Sequence, residues 1–123
     1  MSLFAKLLGR RAPADPDWIE AEGLAAQLAS DHAPVVVDVR GADEFTGPLG
    51  HIEGAMNAPL PDFAAHMPAL LRQDKNLVMV CKTDRRSSAA AAQLRAAGAM
   101  NVAVLRGGME GWRQNPSRAA RPA

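Results

Sequence analysis

The stretch Leu77-Val78-Met79-Val80-Cys81-Lys82-Thr83-Asp84-Arg85-Arg86-Ser87 constrains this chain more than any other. Its first four residues are continuously apolar, as a parallel strand covered on both faces must be. A loop of cations and hydroxyls follows. From Ser87 to Ala97 there is no Pro, Gly or β-branched residue, and Ala89 to Ala92 are consecutive alanines, so the spacing predicts a helix. Ala90, Leu94 and Ala97 share one face of it. Ser87 or Ser88 is the expected cap at its start, and Gly98 stands where a left-handed C-terminal cap is usual. The stretch thus reads as strand, tight loop and helix, with the only cysteine of the chain at the strand end.

A thiol in the turn before a helix faces backbone N–H groups that have no partner within the helix, and the positive end of its dipole. Lys82, Arg85 and Arg86 add positive charge beside it, and Asp84 removes one unit. This setting favours the thiolate, the reactive form. The same donors suit an anion such as a sulfur oxyacid or a phosphate. The competing reading is a buried, inert cysteine at a strand end, the commoner fate of a free thiol. Three cations within five residues of Cys81 make an apolar resting place hard to build.

A length of 123 residues is that of one domain. With three Phe, two Trp and no Tyr, the core has to be made of Val, Leu, Ala and Met. The net charge of +1 gives no basis for a nucleic-acid partner. One cysteine excludes an internal disulfide and any second thiol to resolve an oxidised Cys81. No apolar run approaches the length of a membrane span, and Met1 to Leu8 is too short for a secretory signal. The expected location is the cytoplasm. His32, His51 and His66 are widely spaced and form no metal signature. Gly107, Gly108 and Gly111 have the wrong spacing for dinucleotide binding. Neither a metal nor an organic cofactor is expected.

Residues 1–16 read as a flexible lead-in, 17–114 as the folded domain and 115–123 as a disordered tail. Trp18-Ile19 is a candidate edge strand, and Ala21 to Ser30 an amphipathic helix. Val35-Val36-Val37-Asp38-Val39 is the clearest strand, β-branched and uninterrupted. Asp38 and Arg40 at its end are expected to pair with neighbouring charges, Glu44 among them. A helical turn is expected at Ala42 to Phe45, and a short strand at Met56 to Ala58. Pro68 divides Asp62 to Arg72 into two short helical turns. Val102 to Leu105 is a further strand, and Arg106 to Trp112 a turn opening a short helix. Apolar strands alternating with helices predict an α/β fold, with a central parallel sheet flanked by helices. In such sheets ligands bind outside the carboxyl ends of the strands, where Cys81 lies.

Three groups of residues together carry a family likeness. Asp38-Val39-Arg40, Glu44-Phe45, Gly50-His51-Ile52, Gly54-Ala55 and Asn57-Ala58-Pro59 make the first. Cys81 with Arg86 five positions on and then Ser87 makes the second. Leu105-Arg106-Gly107-Gly108 with Gly111-Trp112 makes the third. In this order and spacing they resemble rhodanese-like domains over residues 17 to 114. The resemblance implies a single rhodanese-like domain and a sulfurtransferase of the thiosulfate type. Cys81 would be the catalytic residue, carrying a persulfide, and Lys82, Thr83, Asp84, Arg85, Arg86 and Ser87 would bind the anionic donor. Donors would be thiosulfate or a persulfide, and acceptors cyanide or a thiol. Many loops of the family carry a glycine midway. Thr83 and Asp84 stand there in this chain, and an Asp can supply the left-handed conformation in its place. The resemblance leaves two alternatives open, a non-catalytic binding module and a phosphatase-like enzyme. Four residues separate Cys81 from Arg86, against five in the phosphatase signature, and the tighter loop favours sulfur.

Overall fold

The computed structural model describes residues 17–115. The lead-in at 1–16 and most of the expected tail lie outside them. Eleven elements alternate along the described chain. They are β1 (Trp18–Ile19), α1 (Ala21–Leu28), β2 (Val35–Asp38), α2 (Ala42–Phe45) and β3 (Met56–Asn57), then a 3₁₀ turn (Leu60–Asp62). After it come α3 (Phe63–Leu71), β4 (Leu77–Val80), α4 (Arg85–Ala96), β5 (Val102–Leu105) and α5 (Gly108–Gln114). The five strands form one sheet in the order β1-β5-β4-β2-β3, and every pair is parallel. The α/β reading therefore holds.

β4 is the middle strand. It pairs Val80 with Asp38 on β2, and Met79 with Val104 on β5. All four of its residues are buried, as expected of a strand covered on both faces. Alternate side chains feed two cores. One holds Val37, Met79 and Val104 with Phe63 and Leu70 of α3 and Ala90, Ala91 and Leu94 of α4. The other holds Val36, Val78 and Ala103 with Leu24 of α1 and Met109 and Trp112 of α5. Because all strands run the same way, the loops after β2, β4 and β5 emerge at one end of the sheet.

Three local expectations are corrected. Residues 63–71 form one helix with the exposed Pro68 inside it, preceded by the 3₁₀ turn, rather than two separate turns. Phe63 and Leu70, almost fully buried and seven residues apart, anchor it on both sides of the proline. Helix α4 starts at Arg85, two residues ahead of Ser87, and Asp84 holds the N-cap position with no side-chain bond to its own helix. Its buried stripe is Ser87, Ala90, Ala91 and Leu94, and Ala97 is exposed. Gly98 closes the helix at φ 104°, where its N–H donates to the Arg95 carbonyl.

Candidate active site

Cys81 directly follows the central strand, at the end of the sheet where the connecting loops gather. Its side chain is 2% exposed and packs with Val37, Val39, Ala58 and Phe63. The sulfur is thus more enclosed than the cations around it in sequence suggest. Sγ lies 3.2 Å from the Ser87 hydroxyl, which in turn lies 3.2 Å from the Asp84 carbonyl. A serine has one proton to donate. With a thiol, S–H donates to Ser87 and Ser87 donates to the Asp84 carbonyl. With a thiolate, the hydroxyl can turn to the sulfur. Ser87 therefore stands beside the sulfur itself and does not cap the helix.

The loop owes its shape to the last helix. The N–H of Gly107 donates to Asp84 Oδ1 at 2.8 Å, that of Met109 to the Cys81 carbonyl at 2.8 Å, and that of Glu110 to the Lys82 carbonyl at 3.1 Å. Loop oxygens thus satisfy the first amides of α5. Gly108, at φ 55°, lies against this backbone so closely that an added Cβ would strike the carbonyls of Cys81 and Thr83. Asp84 itself has φ −134°, and no residue other than glycine has positive φ among those described. The left-handed residue expected at Asp84 is therefore absent, and its carboxylate ties the loop to the turn at Gly107 instead.

Two of the three loop cations, Arg86 and Lys82, have carboxylate partners. Arg86 grips Glu44 through both guanidinium nitrogens, Nη1–Oε1 at 2.7 Å and Nη2–Oε2 at 3.0 Å. The hydrogen bond from Arg86 holds the Glu44 carboxyl below its ordinary value, against the upward push of burial. The same bond raises Arg86, and the charges of Glu44 and Cys81 act in the same direction. Lys82 extends toward Glu110 at 3.8 Å, with both side chains about half exposed. Thr83 and Arg85 are exposed on the loop and the first turn of α4. The first bond within that helix runs from the Ser88 N–H to the Asp84 carbonyl. The amides of Arg85, Arg86 and Ser87 precede it, at the end of the helix that meets the loop.

Asp38 and Arg40 pair with each other, not with Glu44. Arg40 is 1% exposed. Its Nε and Nη2 reach the Asp38 carboxylate at 2.9 and 2.7 Å, and Nη2 also donates to the Gly50 carbonyl at 2.6 Å. Asn57 donates to the carbonyls of Asp38 and Arg40. His51 stacks on Phe45 at 3.6 Å between ring centroids and donates from Nδ1 to the Phe45 carbonyl at 2.7 Å. These residues tie the end of β2 to the loop and strand that follow it. A pocket of about 380 Å³ is lined by Arg40, Glu44, Pro48, Leu49, Lys82 and Glu110. Cys81 is not among its lining residues. The sequence gives no sign of Glu110 as a partner of Lys82, because only the packing of α5 brings them together.

The profile of the rhodanese-like domain matches residues 20–115. The chain belongs to the rhodanese-like domain family. Among curated relatives, it is 38% identical over 77 residues to the uncharacterized protein YqhL of Bacillus subtilis, a match covering 63% of this chain and 59% of that one. It is also 38% identical over 90 residues to the uncharacterized protein slr1261 of Synechocystis, covering 72% and 48%. The chain thus spans about half the length of these two relatives. It is 37% identical over 99 residues to the thiosulfate sulfurtransferase GlpE of Ectopseudomonas mendocina, covering 77% and 85%. A rhodanese-related protein from Thermoplasma volcanium superposes with a TM-score of 0.69 at 26% identity, over 86% of this chain and 95% of that one. A Rhodopseudomonas palustris protein of unknown function, described as a possible tyrosine phosphatase, gives 0.76 at 23% identity over 99% and 95%. That likeness concerns the rhodanese fold alone.

Proposed function

We propose that the protein is a sulfurtransferase that carries sulfane sulfur as a persulfide on Cys81. The observation that carries this reading is the position of the sole thiol. It stands between the middle strand of a parallel sheet and the first turn of α4, with a hydroxyl 3.2 Å from its sulfur. The likeness to a thiosulfate sulfurtransferase over 77% of the chain supports it.

In the proposed reaction the Cys81 thiolate attacks the outer sulfur of thiosulfate or of a persulfide. The Sγ–S bond forms, the donor S–S bond breaks, and its electron pair leaves with sulfite or with a thiolate. An acceptor, cyanide or a thiol, then attacks the outer sulfur of the Cys81 persulfide and returns the thiolate. Splitting one transfer into two displacements is covalent catalysis. Ser87 steadies the sulfur anion by turning its proton from the Asp84 carbonyl. The amides of Arg85, Arg86 and Ser87, with the side chains of Lys82, Thr83, Arg85 and Arg86, meet the donor's charge. Asp84 serves the donor indirectly, by fixing the loop.

The burial of Cys81 favours a second reading, a non-catalytic module that binds a partner through the loop. One measurement separates the two. After exposure to thiosulfate and removal of the excess, the intact mass should rise by one sulfur atom. Cyanide should release that sulfur as thiocyanate, and Cys81→Ser should neither gain nor release it. An unchanged mass with every sulfane donor would leave the binding module standing. Turnover of para-nitrophenyl phosphate that depends on Cys81, without sulfur uptake, would replace both readings with phosphatase chemistry.

A further inference from the structure

Three amides at the start of α5 hold the cysteine loop. Those of Met109 and Glu110 meet carbonyls, which any sequence supplies. The amide of Gly107 meets a side chain, Asp84 Oδ1 at 2.8 Å. That contact alone of the three depends on the identity of a loop residue. Asp84 makes no side-chain bond to its own helix. Among the described residues its carboxylate holds no cation either. The side chain serves one amide of a helix that covers the other face of the sheet.

The backbone of the same residue faces the sulfur's partner. The Asp84 carbonyl accepts the Ser87 hydroxyl at 3.2 Å and the Ser88 N–H at 3.0 Å. Ser87 is fully buried, and its oxygen lies 3.2 Å from Sγ. One hydroxyl proton thus has two acceptors within reach, the carbonyl and the sulfur. When it turns to the sulfur, the carbonyl keeps the Ser88 amide, so no buried acceptor is left bare. At φ −134° and ψ −19°, Asp84 lies outside the helical well, and α4 alone does not fix that carbonyl. We propose that Asp84 is a positioning residue for sulfur transfer. Its carboxylate, tethered to Gly107, holds in place the carbonyl from which Ser87 turns to Cys81. The proposal rests on the sulfurtransferase reading and adds a residue that acts on the sulfur through a neighbour, not on the donor. It acts by the place of an oxygen atom rather than by charge.

The rate of sulfur loading onto Cys81 of the full chain, per folded molecule, would be followed by intact mass. Thiosulfate and glutathione hydropersulfide serve as donors. Ser87→Ala should lower the rate roughly tenfold or more, the scale of one hydrogen bond to a charged group. Asp84→Ala should lower it about as far. The double variant should fall no further than Ser87→Ala, because no hydroxyl is left to place. Asp84→Asn keeps an oxygen for the Gly107 amide and should retain the rate. Asp84→Glu keeps the charge but moves the oxygen by a methylene, and should lose it. The Asn and Glu variants decide the question if Asp84→Ala does not fold. Losses that multiply in the double variant, or a rate that follows the charge instead of the oxygen, would overturn the inference while leaving sulfur transfer in place. Absence of sulfur on Cys81 of the unaltered protein with both donors would overturn the parent reading and this one with it.

Discussion

Arg40 shows how much of the fold a single residue can hold in place. It is a large cation with almost no exposure, neutralised by Asp38 and bonded to the Gly50 carbonyl. Removing one partner of such a buried pair leaves the other charge stranded, at a cost of about 3–5 kcal/mol. Arg40→Ala should therefore lower the melting temperature sharply, and sulfur transfer per folded molecule should fall much less. Calorimetry beside an activity assay at a temperature where the variant remains folded checks this. The Glu44–Arg86 pair predicts a pH dependence of known sign. The Glu44 carboxyl is held below its ordinary value of 4.5, first by its hydrogen bond to Arg86. A depressed carboxylate stabilises the fold above its unfolded pKa, and that contribution disappears as pH falls through the folded value. The melting-temperature gap between the unaltered protein and Glu44→Gln should be present at about pH 7 and shrink as the pH falls below 4.5 and through the depressed folded value. A gap that widens on acidification would contradict the pairing.

At the scale of elements, α3 and the cysteine loop make opposite cases. Pro68 lies inside α3 on its exposed side. An interior proline costs a helix about 3 kcal/mol, partly offset by its stiffening of the unfolded chain. Pro68→Ala should raise stability by about 1–2 kcal/mol, measurable by urea denaturation. The loop after β4 has no such slack. Gly108→Ala introduces a methyl group against the Cys81 and Thr83 carbonyls at positive φ. It should cost about 1–3 kcal/mol from the backbone alone and displace the loop. Loss of sulfur transfer exceeding the loss of folded protein, read at a temperature where the variant is folded, is the expected result.

The strand and helix positions were legible because apolar runs and alanine-rich spacing act locally. All five strands were expected, and so was the end of α4 at Gly98. The start of α4 was not legible, because it depends on contacts distant in sequence. Asp84 is drawn to the Gly107 amide, and Ser87 is turned onto the sulfur. The single helix across Pro68 was missed for a similar reason. Propensity argues for a break there, and burial of Phe63 and Leu70 outweighs it. In the site, the cysteine and its loop were visible in the chain. The carboxylates opposing the cations were not, because Glu44 stands 42 residues before Arg86 and reaches it only through the fold.

At the scale of the whole molecule, the sheet separates two cores that meet different helices, and the thiol belongs to only one of them. Cys81 shares the core under α3 and α4, yet its loop is held by amides of α5, which covers the opposite face. During synthesis the thiol, its strand and the first turns of α4 emerge from the ribosome ahead of Gly107. Until Gly107, Met109 and Glu110 follow, their amides cannot reach Asp84 or the carbonyls of Cys81 and Lys82. A domain folds as a unit, and here β5 lies between β1 and the central strand, so the sheet is complete only once the C-terminal part has emerged. The loop around the cysteine is therefore among the last pieces of this molecule to take shape, and a growing chain carries its thiol unfastened until the closing turn arrives.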